Sequence, residues 1–313
     1  MKVLKALLKD ATAGDPITGL KWTRKTLRQL SQELQKKHLR VGYLTVRRLL
    51  TDLHYALRVN RKRLTKDPNP RRDRQMRYIA GVRRTFQKAG TPVISVDAKK
   101  RELIGNFKNA GRTWRQKPLD VLETDFLSEA VGIAIPYGIY DSARLAGYVV
   151  IGVSHETAEF AVAAIRGWWL EVGRHAYRGQ HELLIQADDG GANDSCSWQW
   201  KASLQHLADE FKLTLTVTHY PAGASKWNEI EHGLFCFISL NWAGQPLLNY
   251  ATALNFIRTT HTTSGLTCQA RLDRTHYETG LKITADERAS INLKRRRIFP
   301  NWNYTIEPHS TVY

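Results

Sequence analysis

Leu183-Leu184-Ile185-Gln186-Ala187-Asp188 is a short apolar run that stops on an acid, with Asp189-Gly190-Gly191 directly behind it. A run of this length, closed by a glycine-rich turn, reads as a buried strand. Upstream, Val93-Ile94-Ser95-Val96-Asp97 has the same character and the same ending. Ala130–Tyr140 (AVGIAIPYGIY), Gly147–Val153 (GYVVIGV) and Leu213–His219 (LTLTVTH) read as further strands. Between and after them, Thr157–Leu170 reads as a helix, its Phe160, Ala164 and Trp168 spaced four apart. Ser197–Phe211 and Trp227–Asn241 (WNEIEHGLFCFISLN) also read as helices, and Tyr220–Ala224 as a turn. Strands alternating with helices predict a mixed-sheet α/β domain.

Three acids stand out against this pattern. Asp97 and Asp188 end strands, and Glu231 lies early in the helix that follows the last strand. Carboxylates at neighbouring strand ends can converge at the rim where open α/β sheets hold ligands. Three together repel and are costly to desolvate, and a divalent cation removes that cost. Oxygen ligands without a His/Cys cluster favour Mg²⁺ or Mn²⁺ over Zn²⁺. Two such ions, ~4 Å apart, suit phosphoryl transfer. On spacing alone, a strand-end Asp is more often a turn residue than a ligand.

Charge divides the chain. It holds 47 Lys+Arg against 29 Asp+Glu, a net of +18. Residues 1–90 carry 24 Lys+Arg and 6 Asp+Glu, so the whole excess lies there and residues 91–313 are neutral. A basic head on a neutral body points to a polyanion partner. Within the head, Thr23-Arg24-Lys25-Thr26 precedes Leu27, Leu30 and Leu34, as the start of an amphipathic helix requires. Gly42 breaks the pattern. Thr45 then stands before a second helix, with Val46, Leu49, Leu50 and Leu53 on one face and Arg47, Arg48 and Arg58 on the other. This predicts an all-α helix-turn-helix region over 1–60 whose second helix reads double-stranded DNA. A purely structural helical hairpin has the same leucine spacing. Residues 61–90 read as a basic linker and helix. Arg61, Lys62, Arg63, Arg71 and Arg72 are candidates to lie along phosphates, and Met76, Ile79, Arg83 and Phe86 keep helical spacing. The catalytic domain is expected over 91–313.

Other classes are excluded by composition. Hydrophobic residues are 42%, enough for a core and too many for a disordered chain. No apolar run reaches the ~18 residues of a membrane span, and lysines interrupt the N-terminal apolar stretch too often for a secretory signal. Cys196, Cys236 and Cys268 show no CxxC spacing, so neither a disulfide framework nor a zinc site is expected. The expected location is cytoplasmic and nucleoid-associated. The three cysteines, Trp168, Trp169 and Trp227 are read as core residues, and His155 as a structural histidine.

Several longer stretches carry a resemblance. They are VDAKKRELIGNFKNAGRTW (Val96–Trp114), HETAEFAVAAIRGWW (His155–Trp169), ADDGGAN (Ala187–Asn193), HYPAGASKWNEIEHGLFCFIS (His219–Ser239), SGLTCQARLD (Ser264–Asp273) and FPNWNYTI (Phe299–Ile306). Together they resemble the insertion-sequence transposases whose DDE domain is named after Rhodopirellula, within the RNase H-like superfamily. The resemblance spans nearly the whole chain.

It implies an RNase H-like catalytic domain and metal-dependent cutting and joining of insertion-sequence ends, with two Mg²⁺ or Mn²⁺ ions. The family's acidic triad falls on Asp97, Asp188 and Glu231, the last two 43 residues apart. Asp189 stands where glycine is expected, which leaves it as the alternative second ligand. Ala222 and Ala224 replace proline and threonine, and Glu229 replaces a basic residue. Lys226 and Asn228 flank the third acid as auxiliary candidates, and Lys294–Arg297 read equally as DNA contacts or as solvated charge. Pairing two ends implies a homo-oligomer on DNA. The chain is expected to start inside the family's N-terminal region. A truncated, silent DNA-binding remnant and an RNase H-like nuclease without strand transfer are the competing readings.

Overall fold

A computed structural model describes residues 2–14, 21–23, 25–57, 71–221, 223–224 and 227–310. The candidate contacts Arg58, Arg61, Lys62, Arg63 and Lys226 lie outside them. The chain divides into two compact units, Met1–Lys66 and Asp67–Tyr313.

The first unit runs α1 (Lys2–Ala11), β1 (Thr12–Gly14), β2 (Lys21–Thr23), α2 (Leu27–Lys36) and α3 (Tyr43–Asp52). α2 starts as its sequence dictates. The Thr26 hydroxyl accepts from Gln29 N, and the Gln29 side chain accepts from Thr26 N, a reciprocal cap. Leu30, Leu34 and Val46 are buried with Leu4 and Leu8 of α1. Two expectations are corrected here. The region is not all-α, because β1 and β2 pair as a short antiparallel ribbon. α3 begins at Tyr43 behind Gly42 rather than after Thr45. The extended backbone of Gly42 already sets the helix start, and no side-chain cap is made.

The second unit continues with α4 (Arg72–Lys88), β3 (Val93–Ala98), β4 (Glu102–Ile104), β5 (Gly132–Asp141), β6 (Ala146–Gly152), α5 (Ala158–Trp168), α6 (Arg174–Ala176), β7 (Glu182–Ala187), α7 (Trp198–Phe211) and β8 (Thr214–His219). It closes with α8 (Cys236–Asn241), α9 (Tyr250–Arg258), β9 (Thr267–Asp273), α10 (Ala285–Ser290), β10 (Leu293–Arg295) and β11 (Asn303–Ile306). The sheet order is β10-β11-β8-β7-β3-β5-β6-β9, with β4 paired to β5. β3 runs parallel to β7 and antiparallel to β5, and β7 runs parallel to β8. The fold class is the expected mixed α/β arrangement.

Alternation along the strands builds two cores. On β5 and β6, Ile135, Tyr137, Ile139, Tyr148 and Val150 face α5 and α7, meeting Phe160, Trp168, Trp200 and Leu204. Ala134, Tyr140, Val149 and Ile151 face the other layer, with Ile230, Leu234, Ile238 and Ile257. The period of two in a strand sends neighbours to opposite faces. Each large apolar side chain so buried contributes about 1.5–3 kcal/mol. α5 and α7 begin at Thr157 and Ser197, whose hydroxyls accept from the backbone N of Phe160 and Trp200 at 3.2 Å each.

The helix expected within 61–90 belongs to the second unit. Gln75 of α4 is fully buried and donates to His219 O at 2.9 Å and to Asn303 Oδ1 at 2.8 Å. Ile79 packs against Tyr220. These contacts tie α4 to β8 and β11, so the division falls ahead of α4 rather than near residue 90. Among the described residues no helix is long and apolar enough to cross a membrane.

Candidate active site at the strand ends

Asp97 is the fifth residue of β3, and Asp188 directly follows β7, the parallel neighbour of β3. Val96 pairs with Ala187, so the register brings the two acids to one end of the sheet. Glu231 opens a π-helical turn, Glu231–Phe235, that leads into α8. Single π turns widen a helix and recur at functional sites. Close approach seats this helix on the sheet. A Cβ on Gly138 of β5 would come within 2.6 Å of the Phe235 ring, so only glycine leaves room.

Asn228 locks the same corner. It is fully buried, donates to Val96 O at 3.2 Å and to Asp97 Oδ2 at 3.4 Å, and accepts from the Ser95 hydroxyl. Ser95 Oγ also accepts from Ile230 N at 3.2 Å. One serine and one asparagine thus join β3 to the residues on either side of Glu229.

The acids feel one another. Burial, followed by the charges of Asp188 and Glu231, pushes the Asp97 carboxyl up to about 8. Burial also raises Asp188, to about 6, against a hydrogen bond from Asn193 and with the charges of Asp189, Glu156 and Glu231 adding to the rise. Asn193 Nδ2 donates to Asp188 Oδ1 at 3.1 Å, while its Oδ1 accepts from the Tyr137 hydroxyl at 2.7 Å. Among the described residues no three His, Cys, Asp or Glu side chains close around one metal-sized space. The three acids are therefore electrostatic neighbours at one rim without forming a closed ligand shell. Their donor chemistry still fits a hard divalent cation. Asp97 and Asp188 are carboxylates raised by burial and neighbouring charge, a cost a cation would compensate, and Glu231 adds a further oxygen donor.

The neighbouring acids have other partners. Asp189 accepts from Ser195 N at 3.1 Å and from the Trp302 indole at 2.8 Å. Glu229 is ion-paired with Arg83. Glu156, which was not among the expected site residues, is a fourth acid at this rim, 3.8 Å from Arg101. It stands four residues beyond the end of β6, so the strand-end pattern that singles out Asp97 does not reach it. Gly191, with φ +55, leaves it room, since a Cβ there would lie 2.6 Å from Glu156 Oε1.

Other expected residues fall elsewhere. Arg47 and Arg48 are exposed on α3 of the first unit. Arg71 lies with its guanidinium 6.0 Å from the Phe299 ring, and Arg72 is half-buried at the start of α4. Lys294–Arg297 are exposed, with Lys294 paired to Glu307 and Arg296 donating to Thr305. His155 is exposed, with its Nδ1 3.1 Å from Tyr277 O. Trp168 and Trp169 are core, but Trp227 is 53% exposed. Cys268 is buried as expected, whereas Cys236 is half-buried and Cys196 exposed. Trp227 precedes the buried Asn228, whose polar anchoring turns its neighbour outward. Cys196 sits in the turn before Ser197, outside the apolar period of α7.

A family described as the Rhodopirellula transposase DDE domain matches residues 3–308. No curated protein matches. Among solved structures, the chain is similar to the Mos1 transposase paired-end complex with left transposon end, at 13% identity over 82% of this chain and 68% of that one, with a TM-score of 0.43. It is also similar to a pre-cleavage Mos1 transpososome, at 12% identity over 81% and 68%, with a TM-score of 0.45. A Mos1 mariner paired end complex with Mn gives 14% identity over 82% and 69%, with a TM-score of 0.41.

Proposed function

This chain belongs to the Rhodopirellula transposase DDE-domain family, and we propose that it cuts and joins DNA at the ends of an insertion sequence with Asp97, Asp188 and Glu231. The observation that carries the reading is the register that brings Asp97 and Asp188 to one end of the sheet, where the charge of Glu231 reaches both. Bound there, Mg²⁺ or Mn²⁺, as two ions, would neutralise the carboxylates, activate the attacking oxygen and stabilise the leaving one.

The chain's own residues supply positioning. Asn228 fixes Asp97, Asn193 orients Asp188, and the glycine floor under Phe235 holds the helix of Glu231. Asp188 is favoured over Asp189 as the second ligand, because both Asp189 oxygens already accept hydrogen bonds from the fold. In the first step a water oxygen attacks a phosphodiester and the 3′ oxygen of the element's end leaves as a hydroxyl. That 3′-OH then attacks a target phosphodiester in line, one P–O bond forming as another breaks. Alignment and charge neutralisation lower both barriers, with no covalent protein–DNA intermediate.

The basic first unit grips the duplex. Arg47 and Arg48 contact bases or phosphates. Arg58, Arg61, Lys62, Arg63, Arg71 and Arg72 add phosphate contacts, with Lys226 auxiliary near Glu231. Each neutralised phosphate steepens the logarithmic salt dependence of binding by about 0.9. Such a protein would act in the cytoplasm on the nucleoid, as an oligomer that pairs two ends.

The test is end cleavage and strand transfer on a duplex carrying the element's terminal sequence, with Mg²⁺ or Mn²⁺. Asp97→Ala, Asp188→Ala and Glu231→Ala should each abolish both reactions and leave end binding intact. Full activity in any of the three overturns that residue's role. Binding without cleavage by the wild-type chain would leave a silent DNA-binding protein. Cleavage without joining of pre-cut ends would leave a nuclease.

A further inference from the structure

His219 closes β8 with its side chain inside the core, and the function proposed above makes no use of it. His219, Tyr304 of β11 and Trp200 of α7 are each fully buried. Polar atoms placed so deep are costly unless each finds a partner, and here they form one chain. The Trp200 indole donates to the Tyr304 hydroxyl at 2.8 Å. That hydroxyl lies 3.0 Å from His219 Nε2, and His219 Nδ1 lies 3.0 Å from Asp188 O. The two ends fix the direction of the chain, because an indole N–H only donates and a carbonyl oxygen only accepts. The Tyr304 proton is therefore given to Nε2, and the ring carries its own proton on Nδ1, aimed at Asp188 O.

The position of that carbonyl gives the contact its use. The ladder between β7 and β8 ends at the pair Ala187 and His219, so Asp188 stands one residue past it. Holding the Asp188 carbonyl fixes the peptide plane beside the α-carbon from which its carboxylate departs. The ring itself is anchored on both sides. His219 N donates to Trp302 O at 2.9 Å, and Gln75 donates to His219 O at 2.9 Å. The Phe299–Ile306 stretch thus supplies two of the contacts, Trp302 O and the Tyr304 hydroxyl, that seat this histidine.

We propose that His219, steered by Tyr304 and Trp200, is a positioning residue that aims the Asp188 carboxylate at a divalent cation by holding the Asp188 carbonyl. This rests on the reading of Asp188 as a metal ligand, and its test reads cation binding rather than DNA cutting.

The experiment is Mn²⁺ binding to the full chain without DNA, followed by the electron paramagnetic resonance signal of the free ion. Partners that orient a metal ligand typically change affinity about ten- to a hundredfold. His219→Phe keeps a ring in place and removes the donor, so Mn²⁺ should bind about tenfold more weakly or worse. His219→Asn restores an N–H near Nδ1 and should return affinity to within about threefold of wild type, although the gap it leaves costs stability. Tyr304→Phe removes only the hydroxyl that steers the ring. It should weaken Mn²⁺ in the same direction, and it decides the matter if His219→Phe does not fold. A role in stability alone would leave Mn²⁺ affinity unchanged in the folded variants. Wild-type affinity in His219→Phe or in Tyr304→Phe overturns the proposal, as does an Asn variant that binds no better than the Phe variant. Asp188→Asn separates the two kinds of failure. If it binds Mn²⁺ as wild type does, the reading of Asp188 falls and this inference with it. If it loses Mn²⁺ while the His219 and Tyr304 variants do not, only the role of His219 falls.

Discussion

Asn228 and Asp97, 131 residues apart in sequence, meet at 3.4 Å where the amide of the first donates to Oδ2 of the second. The same amide group is bonded to Ser95 and Val96, so it joins the strand of one acid to the helix of another. Asn228→Ala leaves buried polar groups without partners, at a cost of about 1–3 kcal/mol. Urea unfolding should show that loss. Cleavage per folded molecule should fall well below wild type while end binding stays within about twofold. Unchanged cleavage would remove Asn228 from the positioning of Asp97.

Asp97 is held among like charges in a buried place, which destabilises the metal-free chain. Asp97→Asn removes the carboxyl whose ionisation burial and those charges oppose. Its melting temperature in EDTA should rise, by roughly 2–4 °C for a gain on the order of 1 kcal/mol. Mg²⁺ should raise the melting temperature of wild type and much less that of Asp97→Asn, since a ligand stabilises only the state it binds. Equal Mg²⁺ effects on the two proteins would argue against Asp97 as a ligand.

Asp188 and Asp189 should separate cleanly in two assays. Asp189→Ala breaks the bonds to Ser195 N and the Trp302 indole, so calorimetry should report a loss of about 1–3 kcal/mol. Its folded fraction should still cleave. Asp188→Asn should fold normally and not cleave at all. The reverse pattern would exchange their roles.

His309 and Asp209 make the C-terminal segment pH-sensitive. Their side chains lie 2.9 Å apart, and Ser290 O is 2.8 Å from the other ring nitrogen. The Asp209 hydrogen bond, then that to Ser290, raises His309 above its usual 6.5. Its stabilisation is therefore full below 6.5 and lost as pH climbs through the raised value. Burial alone would raise Asp209, but the His309 hydrogen bonds outweigh it and hold the carboxyl below its usual 3.8. That contribution is present above 3.8 and lost as pH falls through the depressed value. The pair is partly exposed, so the effect is below about 1 kcal/mol. His309→Gln should lower the melting temperature more at pH 5.5 than at pH 8.5, and an equal shift at both would refute the link.

Much of the chain is legible residue by residue. The β-branched and apolar runs of β3, β5, β6, β7 and β8 need no tertiary information, because a strand buried on both faces must be apolar throughout. Helix starts are legible where a hydroxyl caps them, as at Thr26, Thr157 and Ser197. The outer strands are not. β9 (TCQARLD) and β11 (NYTI) carry polar residues that only their pairing with β6 and β8 makes strand-like. α1 also carries a helical period, in Leu4, Leu7 and Leu8, and Leu4 and Leu8 are buried.

Sequence by itself determined the central strands, the capped helix starts, the basic character of the first 90 residues and the acids standing where strands stop. Those are local matters of side-chain period, capping and charge. Only the tertiary structure decided that Glu156 joins Asp188 at the rim, that Glu229 and Asp189 are engaged elsewhere, and that Trp227 faces water. These outcomes depend on strand register and on how closely a glycine floor lets a helix approach, and both are set by contacts between residues far apart in the chain.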